Sequence, residues 1–135
     1  MARRHQLDYI FSPTSVAVIG ASTRKGTIGR ETLHNILTAE FNGKVFPVNP
    51  KAPVIHSIKS YSTVLDVPDA VDLAIIIVPK EEVLEVVRQC GQKGVKGLVT
   101  ISAGFSEVGS EGKARELAVM NVVREYGMRM IGPNC

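Results

Sequence analysis

Apolar runs of strand length alternate with amphipathic stretches along most of the chain. Five of these runs have the length and the β-branched composition of strands. They lie at 15–20, 44–48, 71–78, 97–101 and 128–131. Between the runs, apolar residues recur every three or four positions, as on one buried face of a helix. This spacing predicts a helix at about 27–39 and two more around the apolar faces that contain Val83 and Val119.

The order of these elements is typical of βαβ units. It predicts an α/β fold with a Rossmann-like, doubly wound, mostly parallel five-stranded sheet and helices on both faces. The run at 71–78 is almost wholly aliphatic, which suits a central strand buried on both faces. Pro47 lies inside the second run and predicts a position where the sheet needs no backbone donor. A further short strand is expected near 57–61, and Gly127 is well placed to end the last helix.

Composition narrows the class of protein. The chain has 135 residues, 44% of them hydrophobic, which fits one domain with its own core. Aromatic residues supply only 5% and Trp is absent, so the core must consist of Val, Ile, Leu and Ala, and an all-β binding module is disfavoured. Two cysteines are too few for a disulfide framework, and no apolar run approaches the roughly 18 residues of a membrane span. The expected location is the cytoplasm, with no membrane partner.

The charge is unevenly distributed. The formal net charge is +3, but residues 1–65 hold 8 Lys and Arg against 3 Asp and Glu, whereas residues 66–135 hold 8 against 10. A local anion site in the first half would produce this difference. General nucleic-acid binding would show a longer basic stripe with interleaved aromatic residues, and the sequence has neither.

A glycine-rich segment follows the first predicted strand. Residues 20–29 have the spacing G-x5-G-x2-G between a strand and a helix, where backbone N–H groups and the positive end of the helix dipole favour a phosphate. Arg24 and Lys25 add cations. The dinucleotide fingerprint G-x-G-x-x-G is not met, because Ser22 occupies the position of its second glycine. A Gly20→Val substitution is expected to abolish phosphate binding by blocking backbone approach while leaving the secondary structure intact.

The end of the second strand separates the candidate cofactors. Enzymes that use NAD usually place Asp or Glu there to bind the ribose diol. This chain has Asn49, Pro50 and Lys51 instead. A lysine suits a ribose that carries an extra phosphate, which leaves NADP and coenzyme A (CoA) as alternatives.

Six segments, in the right order, carry a resemblance to a known family. They are VAVIGAS (16–22), GTIGRETLHNIL (26–37), KVFPVNPK (44–51), VDLAIIIVPKEEV (71–83), ISAGFSEVG (101–109) and RMIGPNC (129–135). Together they resemble the N-terminal CoA-binding domain of NDP-forming acyl-CoA synthetases. That family includes ADP-forming acetate–CoA ligases and relatives of the succinyl-CoA synthetase α-subunit. The resemblance extends over nearly the whole chain.

The resemblance implies a set of cofactor-binding residues. Those expected to hold the CoA phosphates are Gly20, Ala21, Ser22, Thr23, Arg24 and Gly26. Those expected along the 3′-phospho-ADP part are Asn49, Pro50 and Lys51. Val78 and Pro79 would border the adenine or the pantetheine, and Ser102, Ala103 and Gly104 would direct the pantetheine toward the reaction centre.

The resemblance also implies a larger enzyme. In this family a phosphohistidine in a second domain interconverts acid, CoA and NTP with acyl-CoA, NDP and phosphate, and a separate domain binds the nucleotide. We therefore expect residues 1–135 to be one CoA-binding domain from the N-terminus of a longer multidomain chain, with ATP or ADP bound elsewhere. The expected partners are the remaining domains or a β-subunit, and a homo-oligomer is compatible with the sequence. Alone, the domain is not expected to be catalytic.

Two alternatives and several single residues complete the sequence-based picture. The alternatives are a regulatory CoA-binding module of a protein lysine acetyltransferase, and an NAD(P)-binding Rossmann domain. The three histidines and two cysteines show no metal-ligand spacing, so no metal is expected. Cys90 lies on an apolar helix face and is expected to be buried, while Glu81, Glu82 and Glu85 are expected on a solvated face.

Overall fold

The computed structural model describes residues 7–101 and 109–132. In chain order its elements are α1 (Asp8–Phe11), β1 (Ser15–Ile19), α2 (Ile28–Thr38), β2 (Lys44–Val48), β3 (Val54–Ile55), β4 (Ile58–Lys59), β5 (Leu73–Ile76), α3 (Lys80–Lys93), β6 (Gly97–Thr100), α4 (Gly109–Glu125) and β7 (Arg129–Ile131). One turn of 3-10 helix covers Val64–Asp66, between β4 and β5.

The main sheet has five strands in the order β2-β1-β5-β6-β7, and its four strand pairs are all parallel. Tyr61 forms a single parallel bridge with Val48 on the outer edge of β2. If Tyr61 is counted as a shortened third strand, the order becomes 3-2-1-4-5-6, which is that of the Rossmann fold. The predicted fold class is therefore confirmed.

Pro47 lies on the edge strand β2, where its missing N–H costs nothing. The carbonyl oxygen of Pro47 accepts a hydrogen bond from the Tyr61 N–H at 3.0 Å, on the side of β2 away from β1. In an extended strand the N and O atoms of one residue point to the same side, so the nitrogen of Pro47 also faces outward. The expected short strand is also present as β4, which pairs antiparallel with β3.

The sheet is buried on both faces because its strands carry apolar side chains at successive positions. Ala17 and Ile19 of β1 join the core that lies under α3 and α4, whereas Val16 and Val18 join the core that contains Leu33 of α2. Leu33 is fully buried, and burying a side chain of this size contributes about 1.5–3 kcal/mol. As the absence of Trp predicts, the buried core of the described residues consists mainly of Val, Ile, Leu and Ala.

Local signals set the helix ends. The hydroxyl of Thr27 accepts a hydrogen bond from the Arg30 N–H at 3.3 Å and caps the start of α2. Gly94, with φ of 93°, ends α3 in the left-handed conformation that glycine tolerates. Gly127, with φ of 67°, follows the end of α4 as predicted. Among the residues that the structure describes, no helix has the length and apolar character needed to cross a membrane.

Hydrogen bonds at the amino ends of β1 and β5 hold these two central strands in register. The N–H and the hydroxyl of Thr14 both donate to the Asp72 carboxylate at 2.8 Å, and the Asp72 N–H donates to the Ser15 hydroxyl at 2.9 Å. With this register, Ile19 lies beside Ile76. The two strands therefore end at the same level, and the residues that follow them are brought together.

Candidate functional site

A cleft of about 590 Å³ opens where β1, β2 and β5 end. It lies at the point where the chain connections turn to opposite sides of the sheet, which is where open α/β sheets bind ligands. Six residues predicted from the sequence line it: Gly20, Asn49, Pro50, Lys51, Val78 and Pro79. They come from three separate strand ends and meet only because the three strands are adjacent.

The other predicted residues are placed differently. Thr23, Arg24 and Gly26 are exposed and Ser22 is half-buried, all in the turn between β1 and α2. Ala21 is fully buried in the core and is not among the residues that line the cleft. The predictions for Ser102, Ala103 and Gly104 lie outside the described residues.

The turn between β1 and α2 is fixed by its own hydroxyl groups. The Arg24 N–H donates to the Ser22 hydroxyl oxygen at 3.0 Å, and the Thr27 hydroxyl donates to the Arg24 carbonyl at 2.7 Å. These contacts hold the Arg24 backbone next to the start of α2, while the side chains of Arg24 and Lys25 remain exposed. Two cations therefore accompany the positive end of the helix dipole, which is a favourable setting for a phosphate.

The glycines of this turn have different roles, and the packing around Gly20 contradicts the expectation that Gly20→Val would leave the secondary structure intact. Gly20 has φ of 99°, and a Cβ atom there would overlap the backbone carbonyl of Ile77. A Cβ on Gly29 would overlap the carbonyl of Gly20. A side chain at either position would therefore force β1, β5 and α2 apart, so the fold itself would be disturbed. Gly26 differs, because its Cβ would meet no atom within 4 Å and only its φ of 85° favours glycine.

Asn49 joins the first turn to the end of β2. Its side-chain N–H donates to the Ala21 carbonyl at 2.8 Å, and its side-chain oxygen accepts from the Lys51 N–H at 2.8 Å. Its own backbone N–H donates to the Tyr61 carbonyl at 2.9 Å. Asn49 thus fixes the position of the phosphate-favouring turn relative to Lys51.

One wall of the cleft was not predicted from the sequence. Glu82, Glu85, Val86 and Gln89 lie on one face of α3 and border the cleft, together with Glu81. The spacing of three, four and seven residues could have shown that they share a face, but not that this face borders the strand ends. Among the described residues that line the cleft, Lys51, which follows the end of β2, is the one cation. The cleft is therefore acidic along α3 and basic near the end of β2.

Cys90 lies on the other side of α3 and is not part of the cleft. It is fully buried, as expected, and this burial raises the pKa of its thiol to about 12. A thiol that keeps its proton at neutral pH is a poor nucleophile. Cys90 is a core residue.

Comparison with known proteins shows which family the chain resembles. A protein-family model described as "CoA binding domain" matches residues 14–135. The chain is 47% identical over 129 residues to the acetate–CoA ligase [ADP-forming] II subunit alpha of Pyrococcus furiosus, covering 96% of this chain and 28% of that protein. It is 49% identical over 136 residues to the acetate–CoA ligase [ADP-forming] of Methanocaldococcus jannaschii, covering 98% of this chain and 18% of that protein.

A solved structure shows the same fold. The dinucleotide-forming acetyl-coenzyme A synthetase 1 of Ca. Korarchaeum cryptofilum, in complex with phosphate and ADP, superposes with a TM-score of 0.90 at 44% sequence identity. The match covers 95% of this chain and 27% of that chain. The chain thus spans less than a third of each of these three proteins. Because the family model matches nearly the whole chain, the chain belongs to the CoA binding domain family.

Proposed function

We propose that this domain binds CoA in the cleft at the ends of β1, β2 and β5 and serves as the CoA-binding domain of an ADP-forming acyl-CoA ligase. The observation that carries the proposal is the uneven charge of this cleft. The turn that holds Arg24 and Lys25 is linked through Asn49 to Lys51, whereas α3 presents carboxylates. CoA has the matching asymmetry, because its phosphates are anionic and its adenine is neutral.

The distribution of charge favours one direction for the bound CoA. A phosphate about 4 Å from a carboxylate of α3 would cost roughly 1–4 kcal/mol at the dielectric constants that apply near a protein surface. The phosphates therefore belong beside the turn and Lys51, and the 3′-phosphate belongs closest to Lys51. The adenine belongs on the side of Val78, Pro79 and α3, where apolar surface and hydrogen-bond acceptors lie together.

The enzyme around this domain is part of the same proposal. Residues 1–135 would form its N-terminal domain, and the other domains or a β-subunit would supply the phosphohistidine and the site for ATP or ADP. The proposed location is the cytoplasm, where CoA and nucleotide are available. We assign no catalytic residue to this domain, whose task is to bind and orient CoA.

Calorimetric titration of the 135-residue chain with CoA, dephospho-CoA, NADH and NADPH tests the proposal. We expect CoA to bind best. The Lys51→Ala variant should bind CoA roughly 5- to 30-fold more weakly, which corresponds to about 1–2 kcal/mol for a charge-assisted contact that is partly exposed. It should bind dephospho-CoA nearly as well as the parent chain does.

Lys44→Ala is the matched control. Lys44 is an exposed lysine at the start of β2, whereas Lys51 follows the end of this strand, so replacing Lys44 should leave CoA affinity unchanged. Equal affinity of the parent chain for CoA and dephospho-CoA would remove the role of the 3′-phosphate. A preference for NADPH over CoA would overturn the proposed function.

A further inference from the structure

Two histidines that are 22 residues apart in the sequence touch in the folded chain. The Nδ1 atom of His34, on α2, lies 3.1 Å from the Nε2 atom of His56, in the turn between β3 and β4. The ring centroids are 5.3 Å apart and the ring planes are inclined by 36°. Both residues are half-buried, beside the fully buried Leu33 and the buried Ile55. The pair lies outside the residues that line the CoA cleft.

The distance between the two nitrogens suits a shared metal ion. Metal–nitrogen bonds of about 2.0–2.1 Å that meet at about 90–110° place two imidazole nitrogens roughly 2.8–3.4 Å apart. Two facing N–H groups at 3.1 Å would repel each other, so at least one facing nitrogen presents a lone pair. The second facing nitrogen can carry the proton of the hydrogen bond between the two rings. This proton can transfer through solvent to the nitrogen of the same ring that faces away from the pair. The ring then stays neutral, and both lone pairs can bind the ion.

The backbone holds His56 at this position despite a conformational cost. Ile55 pairs with Ile58, so His56 and Ser57 form a two-residue hairpin turn, with φ values of 55° and 64°. Such turns favour Asn-Gly, because a residue with a Cβ in this conformation costs roughly 1–2 kcal/mol. The chain instead has a histidine at the first of these positions, and its ring meets His34.

We propose that His34 and His56 form a binding site for a borderline divalent transition-metal ion, with Zn²⁺, Ni²⁺ and Cu²⁺ as the class. Imidazole suits these ions, whereas Mg²⁺ and Ca²⁺ prefer oxygen ligands. Within residues 7–101 and 109–132, no group of three or more His, Cys, Asp or Glu residues could hold a metal. From the described residues the ion would therefore have these two ligands, and water would occupy further coordination positions. It would also tie the β3–β4 hairpin to α2.

Metal titration of the 135-residue chain tests this site. The background variant His5→Gln/Cys135→Ser removes two further potential ligands that lie outside the described residues. In that background we expect one equivalent of Zn²⁺ to bind by calorimetry and to raise the melting temperature. Mg²⁺ should do neither. With one equivalent of Cu²⁺, electron paramagnetic resonance should show coupling to two nitrogen nuclei.

Single substitutions of each histidine give the matched comparison. His34→Gln retains a good helix former, and His56→Asn retains a residue that tolerates a positive φ, so both variants should fold. Each should weaken Zn²⁺ binding at least tenfold and abolish the two-nitrogen signal. Absence of Zn²⁺ and Cu²⁺ binding in the background chain would show that the pair is a hydrogen bond only. Binding that survives both substitutions would place the metal elsewhere and overturn the proposal.

Discussion

Replacing Gly20 with alanine tests whether the first turn is constrained by backbone packing. The Cβ of alanine would overlap the carbonyl oxygen of Ile77. Ile77 cannot easily withdraw, because its N–H donates to the Ile19 carbonyl at 2.7 Å. The N–H of Gly20 in turn donates to the Val48 carbonyl at 3.0 Å. The turn is thus held between β2 and β5, and one of these contacts must break to admit a methyl group.

The expected loss of stability has two parts. The left-handed conformation of a non-glycine residue costs about 1–2 kcal/mol. Relieving the overlap breaks one or two backbone hydrogen bonds at about 1 kcal/mol each and disturbs the buried strand ends, so the total is roughly 3–6 kcal/mol. Domains of this size have about 5–15 kcal/mol in all. Gly26→Ala is the control, because its φ is also positive but no atom lies within 4 Å of the added Cβ, so only the first cost applies.

Urea unfolding followed by circular dichroism measures the difference. The free energy of unfolding should fall by about 1–2 kcal/mol for Gly26→Ala and by a further 2–4 kcal/mol for Gly20→Ala. If the two variants unfold within 1 kcal/mol of each other, the close approach of Gly20 to Ile77 does not constrain the fold, and the argument is wrong.

Two further predictions concern Asn49, which lines the cleft, and Cys90, which lies in the core. Asn49→Ala removes the hydrogen bonds to Ala21 and Lys51. The free energy of unfolding in urea should therefore fall by about 1–3 kcal/mol, and calorimetry should show weaker CoA binding. If both the unfolding free energy and the CoA affinity are unchanged, Asn49 does not link the turn to Lys51. Cys90 has a folded-state pKa of about 12 against a reference value of 9.0. Between pH 9.0 and about pH 12 the native state therefore keeps a thiol proton that the unfolded chain loses. The contribution of the Cys90 thiol to stability is complete below pH 9.0 and falls by about 1.4 kcal/mol per pH unit between these two pKa values. Cys90→Ala should show a shallower fall of the unfolding free energy between about pH 9 and 10.5 than the parent chain does, and identical slopes would contradict the assignment.

The sequence alone predicted the elements and their assembly. Runs such as 71–78 are strands because β-branched residues fit a pleated, buried surface, and the three-to-four-residue spacing around Val83 marks a helix face. These signals are local, so one sequence suffices to detect them. The order of the elements then leaves few topologies, because parallel strands need right-handed crossovers. The family resemblance added the ligand class, and the family match confirmed it.

Only the tertiary structure decided how individual residues are used. Gly20 is required by the carbonyl of Ile77, 57 positions away, and nothing near Gly20 in the sequence indicates that contact. The carboxylates of α3 are exposed, as predicted, but only the tertiary structure shows that they border the cleft. His34 and His56 meet only because the β3–β4 hairpin packs beside α2. Each of these contacts depends on strand order and register, which are set by the packing of the whole core, whereas the periodicity of a segment reports only its own secondary structure.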